Sequence, residues 1–187
     1  MKKYLLPSLK LTLVFLIVCS LLYPLFISAI AKFAPGRGRG ETLSVNGKVV
    51  GYANIGQKFM ADKYFWSRPS AVDYNAAGSA GSNKGPTNPD YLKQVQNRID
   101  SFLVHNPSVK KADIPSELVT ASGSGLDPDL SPRGAYVQVA RIAKIRNIPE
   151  QRIQTLVEQQ IQKPLLGLFG PPKVNVLKLN IDLDNLE

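Results

Sequence analysis

One stretch of this chain, VTASGSGLDPDLSP, Val119 to Pro132, sets three serine hydroxyls, two glycines and two aspartates close together. Its Ser122-Gly123-Ser124-Gly125 run could turn successive backbone N–H groups toward an anion. No Gly-Lys-Ser/Thr follows it, so it is not a P-loop, and Asp127 and Asp129 would repel a phosphate. A cation is the converse choice. Asp127, Asp129 and Ser131 hold positions 1, 3 and 5 of a calcium loop, but Pro132 stands where glycine is needed and Gln138 where glutamate closes the loop. The third reading is structural: a glycine-rich turn from a strand, Glu117–Thr120, into a helix capped by Ser131. The residues favour the turn and leave the phosphate reading open.

Nucleophilic catalysis needs a base beside the nucleophile, and the chain offers one histidine, His105, with no G-x-S-x-G elbow. His105 closes a predicted helix, where a cation is favoured by the helix dipole. One histidine, with the lone cysteine Cys19 in an apolar run, cannot make the usual zinc sites. The sequence assigns no catalytic residue and no metal site.

The elements that would position these residues follow from caps and spacing. Asn46-Gly47 between apolar runs predicts a hairpin of Leu43–Val45 and Lys48–Ala53. Asn88-Pro89 starts a helix with Leu92, Val95, Ile99, Phe102 and Leu103 on one face. Ser131-Pro132 starts a second, with Ala135, Val139, Ile142 and Ala143, and Pro149 a third, with Ile153, Leu156, Val157 and Ile161. In the tail, KVNVLKLNIDLDNL, strict alternation of Leu177, Leu179, Ile181 and Leu183 predicts a strand. Strands mixed with segregated helices make an α+β domain.

A 26-residue stretch without periodicity, Tyr64–Pro89, lies between hairpin and first helix. Loops of that length commonly bind something. Its opening, Tyr64-Phe65-Trp66-Ser67-Arg68-Pro69, is rich in the residue types found at interface hot spots, so Tyr64, Trp66 and Arg68 are candidate partner-contact residues. The alternative is that Phe65 and Trp66 fill the domain's own core.

No charged residue occurs from Leu11 to Ala31, and as a helix those 21 residues reach roughly 31 Å, about the thickness of a bilayer's hydrocarbon core. Ala29-Ile30-Ala31 matches a signal-peptide cleavage pattern, but the apolar run is longer than a signal's usual core, which favours an uncleaved anchor. The predicted map is a tail over 1–10, a transmembrane helix over 11–31, a Gly/Arg-rich linker over 32–42 and a globular α+β domain over 43–187. Basic residues flank both ends of the span and nearly cancel, so flanking charge does not fix its orientation. Three of the 23 basic residues precede the span, leaving twenty against 14 acidic ones, a net of +6. That excess is scattered. It suits anionic lipid headgroups or an acidic partner better than nucleic acid, which draws charge onto one helix with interleaved aromatics.

The span followed by YFWSRPSA, GSNKGPTNPDY, VTASGSGLDPDLSP with QVARIAKIRNI, and FGPPKVNVLKLNIDL resembles the C-subunit family of the bacterial Kdp potassium-transporting ATPase. The blocks cover nearly the whole chain in family order, with Asp129 where the family often has histidine or asparagine. The resemblance implies a non-catalytic, single-pass subunit of the bacterial cytoplasmic membrane with its C-terminal domain outside the cytoplasm. Its implied partners are a channel-like potassium-translocating subunit, a P-type ATP-hydrolysing subunit and a small single-span peptide. It implies no cofactor of its own, with ATP and potassium handled through the complex. The family's subunit is described as a catalytic chaperone that raises the ATP affinity of the hydrolysing subunit, and Ser122, Gly123, Ser124, Gly125 and Asp127 are the residues that role would touch. A membrane-tethered module binding anionic lipid or cell-wall polymer is the rival function, and an anchored hydrolase is disfavoured by the lone histidine.

Overall fold

The structure, a computed structural model describing residues 2–186, divides after Thr42 into two units. In the first, helices α1 (Lys2–Ile17) and α2 (Tyr23–Ala31) are joined by a π-helical turn, Val18–Leu22. Pro24 explains the turn. A proline has no N–H to donate, and its ring presses on the carbonyl one turn earlier. Widening the turn moves that carbonyl away, and the Tyr23 N–H accordingly donates to the Val18 carbonyl, five residues back. From Lys3 to Ala31 the helix is long and apolar enough to cross a membrane, and its apolar side chains are exposed along the whole length.

The second unit is mixed α+β, as the sequence predicts. Strands β1 (Thr42–Val45) and β2 (Lys48–Tyr52) form the expected hairpin. Asn46 and Gly47 take φ of 50° and 76°, the pair of positive values a two-residue hairpin turn needs. Among the described residues no helix or strand follows until α3 (Pro89–His105), which Asn88 caps by accepting from the Tyr91 N–H at 3.0 Å. The remaining elements are β3 (Asp129–Leu130), α4 (Pro132–Tyr136), α5 (Val139–Arg146), α6 (Glu150–Gln160), β4 (Ile161–Gln162), β5 (Lys173–Asn175) and α7 (Val176–Asp184). Antiparallel β3, β5 and β4 form a small sheet with β5 in the middle, where Val174 faces Leu130 on one side and Ile161 on the other. Val174, Ile142, Ile153, Val157, Leu179 and Leu183 are fully buried with Phe65, so the long loop contributes one of the two phenylalanines of the core.

Three expectations are corrected. The tail is not a strand beyond Asn175: it turns into α7, with the Asn175 side chain accepting from the Lys178 N–H at 3.0 Å. Its buried stripe is Val176, Leu179, Asn180 and Leu183, a helical spacing, with Leu177 also buried beside them. A polar residue in that stripe, with half-buried Ile181 beside it, made the sequence alternate perfectly while folding as a helix. Glu117–Thr120 is not a strand either. Ser116–Leu118 is a 3₁₀ turn, and Thr120 bends back to give both its N–H (2.9 Å) and its hydroxyl (2.8 Å) to the Ser116 carbonyl. The helix predicted from Ser131 is broken into α4 and α5 at Gln138, whose N–H takes the tighter bond to Ala135 O at 3.0 Å.

Candidate functional site

The aromatic segment is gripped by two side-chain amides. Asn180 of α7 accepts from the Phe65 N–H at 2.8 Å and donates to the Phe65 carbonyl at 3.0 Å. Gln138 does the same for Trp66, accepting from its N–H at 2.8 Å and donating to its carbonyl at 3.4 Å. Each amide stands in for a neighbouring strand, so two consecutive extended residues are held inside the domain without a sheet. Arg141 of α5 braces this arrangement. Its Nη2 donates to Gln138 Oε1 at 2.8 Å and its Nε to Asn106 Oδ1 at 3.0 Å, while Nη1 donates to the Asp62 carbonyl. The guanidinium carbon lies 4.6 Å from the Trp66 ring centroid. Burial lowers Arg141 to about 10, against the opposing pull of the Asp62 carboxylate, so it remains charged at neutral pH.

The three candidate contact residues are all half-buried and use their polar groups inside the domain. Tyr64 donates to Asp184 Oδ2 at 3.0 Å, beneath the guanidinium of Arg146. The Trp66 indole N–H reaches the Ala61 carbonyl at 3.2 Å, and its ring packs edge-on to Phe102, 6.2 Å away, and to His105, 5.0 Å away. Arg68 pairs with Asp127 at 2.8 Å. That pair joins the aromatic loop to the Ser-Gly loop, so the two separate groups of candidate residues form one cluster.

Within the cluster the Ser-Gly loop is bonded mainly to itself and to its neighbour. Ser122 is buried and its hydroxyl accepts from the Gly125 N–H at 2.8 Å, while the Ser124 hydroxyl accepts from the Leu126 N–H at 3.1 Å. The Ser122 N–H donates to Pro69 O at 3.1 Å, and Ser79 donates to Ser124 O at 2.9 Å. Gly125, at φ 68°, packs so closely that a Cβ would lie 2.6 Å from Val72 Cγ2 and 2.8 Å from Ala80 O. Only glycine suits both the backbone and the space. Gly123 and Ser124 are the exposed tip. Tyr74 closes the far side, donating its hydroxyl to Arg68 O, and burial pushes that hydroxyl up to about 12.

The other chemistry-bearing residues are likewise engaged. Asp129 meets Lys173 at 2.6 Å, and Ser131 caps α4, accepting from the Gly134 N–H at 3.0 Å. His105 ends α3 and shares a 2.8 Å hydrogen bond with Asp62. Beside the aromatic segment a cleft of about 280 Å³ is lined by Phe59, Trp66, Tyr74, Phe102 and Leu118, with Lys58 and Arg98 among its polar residues. Sequence reasoning missed Asn106, Gln138, Arg141 and Asn180. The signal available was, for Arg141 and Asn180, a polar residue standing inside an apolar helical stripe, where burial without a partner would be costly; Asn106 and Gln138 lie at helix ends and gave no such signal.

The sequence that builds this architecture matches a known family along nearly its whole length. Residues 5–185 match the family described as KdpC: K+-transporting ATPase, c chain. The chain belongs to this family. It is 60% identical over 185 residues to the Potassium-transporting ATPase KdpC subunit of Flavobacterium johnsoniae, covering 99% of this chain and 100% of the relative. The protein of the same name from Bacteroides fragilis is 53% identical over 188 residues, covering 99% and 98%. That from Bacillus cereus is 44% identical over 182 residues, covering 96% and 94%. The family match spans the apolar helix and the clamped aromatic loop alike, so membership concerns the anchored chain as a whole.

Proposed function

We propose that the chain is an accessory, non-catalytic subunit of an ATP-driven potassium import complex in the bacterial cytoplasmic membrane. Its domain lies outside the cytoplasm. There it stabilises the assembly with the channel-like subunit, the P-type subunit and the small single-span peptide, and raises the ATP affinity of the P-type subunit from a distance. The observation carrying this reading is family membership over residues 5–185, span and domain together. The geometry of the Ser-Gly loop favours the indirect route to ATP affinity. Its Gly125 and Leu126 amides are already engaged, and the nearby Arg68 guanidinium is already paired with Asp127, which leaves a nucleotide little to bind.

Two measurements test it. Purified membranes should yield the other pump subunits with the tagged chain, and adding the chain should lower the ATP concentration needed for half-maximal potassium-stimulated hydrolysis. Unchanged ATP dependence would reject the affinity role. A reporter enzyme active only outside the cytoplasm should be active when fused after residue 187, whereas cytoplasmic labelling of a cysteine placed among residues 78–85 would reverse the orientation and restore direct nucleotide contact.

A further inference from the structure

Between β4 and β5 the chain makes a tight finger, Pro164-Leu165-Leu166-Gly167-Leu168-Phe169-Gly170, whose large side chains pack on nothing. Leu165, Leu166, Leu168 and Phe169 are 70%, 81%, 81% and 63% exposed. The finger is built, not frayed. Leu165 and Phe169 form a β-bridge, with Leu165 N–H donating to Phe169 O at 3.1 Å and Phe169 N–H to Leu165 O at 3.0 Å. Gly167 N–H reaches Pro164 O at 2.9 Å and Leu168 N–H reaches Leu165 O at 3.1 Å.

Its tip breaks a local rule that the same chain obeys elsewhere. Leu166 and Gly167 take φ of 55° and 74°, nearly the 50° and 76° of Asn46 and Gly47 in the β1–β2 hairpin. Asparagine tolerates that left-handed conformation and leucine resists it. A strained leucine that is 81% exposed recovers nothing by packing within this domain, so its gain lies outside it.

We propose that this finger inserts into the lipid headgroup–acyl boundary of the membrane that the chain's own helix spans. Four apolar side chains at a tip suit hydrocarbon, and four of the tip's N–H groups are already paired, as an apolar medium requires. No acidic residue occurs from 159 to 181, while exposed Lys163 stands at the base of the finger, which complements anionic headgroups. The linker over 32–42 can extend at most about 40 Å, which keeps the domain near the bilayer. The inference goes beyond the pump reading and does not depend on it.

The test uses the full chain with Cys19→Ser, reconstituted alone into vesicles of phosphatidylethanolamine with a minority of phosphatidylglycerol. An environment-sensitive dye is attached at Leu168→Cys or, as control, at the exposed loop position Gly85→Cys. Phospholipid carrying a nitroxide high on its acyl chain should quench the Leu168 dye severalfold more than the control dye, and aqueous iodide severalfold less. Leu166→Asn should reduce the nitroxide effect severalfold while leaving the melting temperature equal or higher, because it relieves the backbone strain. Equal quenching at both positions overturns the proposal. So does shielding that appears only with the other pump subunits and is indifferent to the nitroxide, since that assigns the finger to a protein partner. A drop in melting temperature for Leu166→Asn also overturns it, by showing that Leu166 is held for packing within the domain.

Discussion

Asn180 and Phe65, 115 positions apart in the chain, meet through both polar groups of one peptide segment: the Phe65 N–H donates to Asn180 Oδ1 at 2.8 Å, and Asn180 Nδ2 donates to the Phe65 carbonyl at 3.0 Å. The pairing fixes where the aromatic loop enters the core. Asn180→Leu keeps the volume and removes both partners, leaving a buried N–H and a buried C=O unsatisfied. It should lower unfolding stability by about 2–4 kcal/mol, read by denaturant titration of the detergent-solubilised chain. A loss below measurement error would show that the loop is held by its side chains alone.

Trp66 and Arg68 should respond differently to truncation. Trp66→Ala removes a ring packed against Phe102, His105 and Arg141 and should cost about 3 kcal/mol. Arg68→Ala should cost about 1 kcal/mol and Asp127→Ala somewhat more, because Asp127 also accepts from the Asp129 N–H at 3.0 Å, with the double variant little worse than Asp127→Ala alone. Arg68→Ala is therefore the variant that separates docking from folding: reduced potassium-stimulated ATP hydrolysis with near-normal melting marks a partner contact.

Tyr74 gives a pH signature. Burial raises its hydroxyl from 10.0 to about 12, so the folded state favours the protonated form that donates to Arg68 O. The stability this contributes is complete below about pH 10 and is lost as pH rises through about 12. Tyrosinate absorbance should show one component titrating late, and Tyr74→Phe should abolish that component and flatten the alkaline loss of stability.

The span should do more than anchor. Replacing Leu11–Ala31 with an unrelated apolar helix removes the π turn before Pro24 together with Cys19, Ser20, Ser28 and Ala29, the small and polar residues through which helices associate in lipid. The domain's melting should be unchanged while recovery of the other pump subunits after solubilisation falls. Full recovery would make the span a generic tether.

What the sequence by itself determined were the features set over short distances. The uncharged run from Leu11 to Ala31, the turn at Asn46-Gly47 and the caps at Asn88 and Ser131 each follow from a few adjacent residues, and each stands where the residues put it. The Ser-Gly loop was legible as a turn because serine hydroxyls and glycines bond locally. Only the tertiary structure decided the rest. The 173–186 tail reads as a strand until Asn180 is known to face Phe65, because a polar residue earns an inward position only when its partner arrives from elsewhere in the fold. Likewise, nothing local joins Arg68 to Asp127, or Gln138 to Trp66. Those pairs span 59 and 72 positions, and they exist because packing the helices brings two loops together and leaves their backbone groups no water to bond.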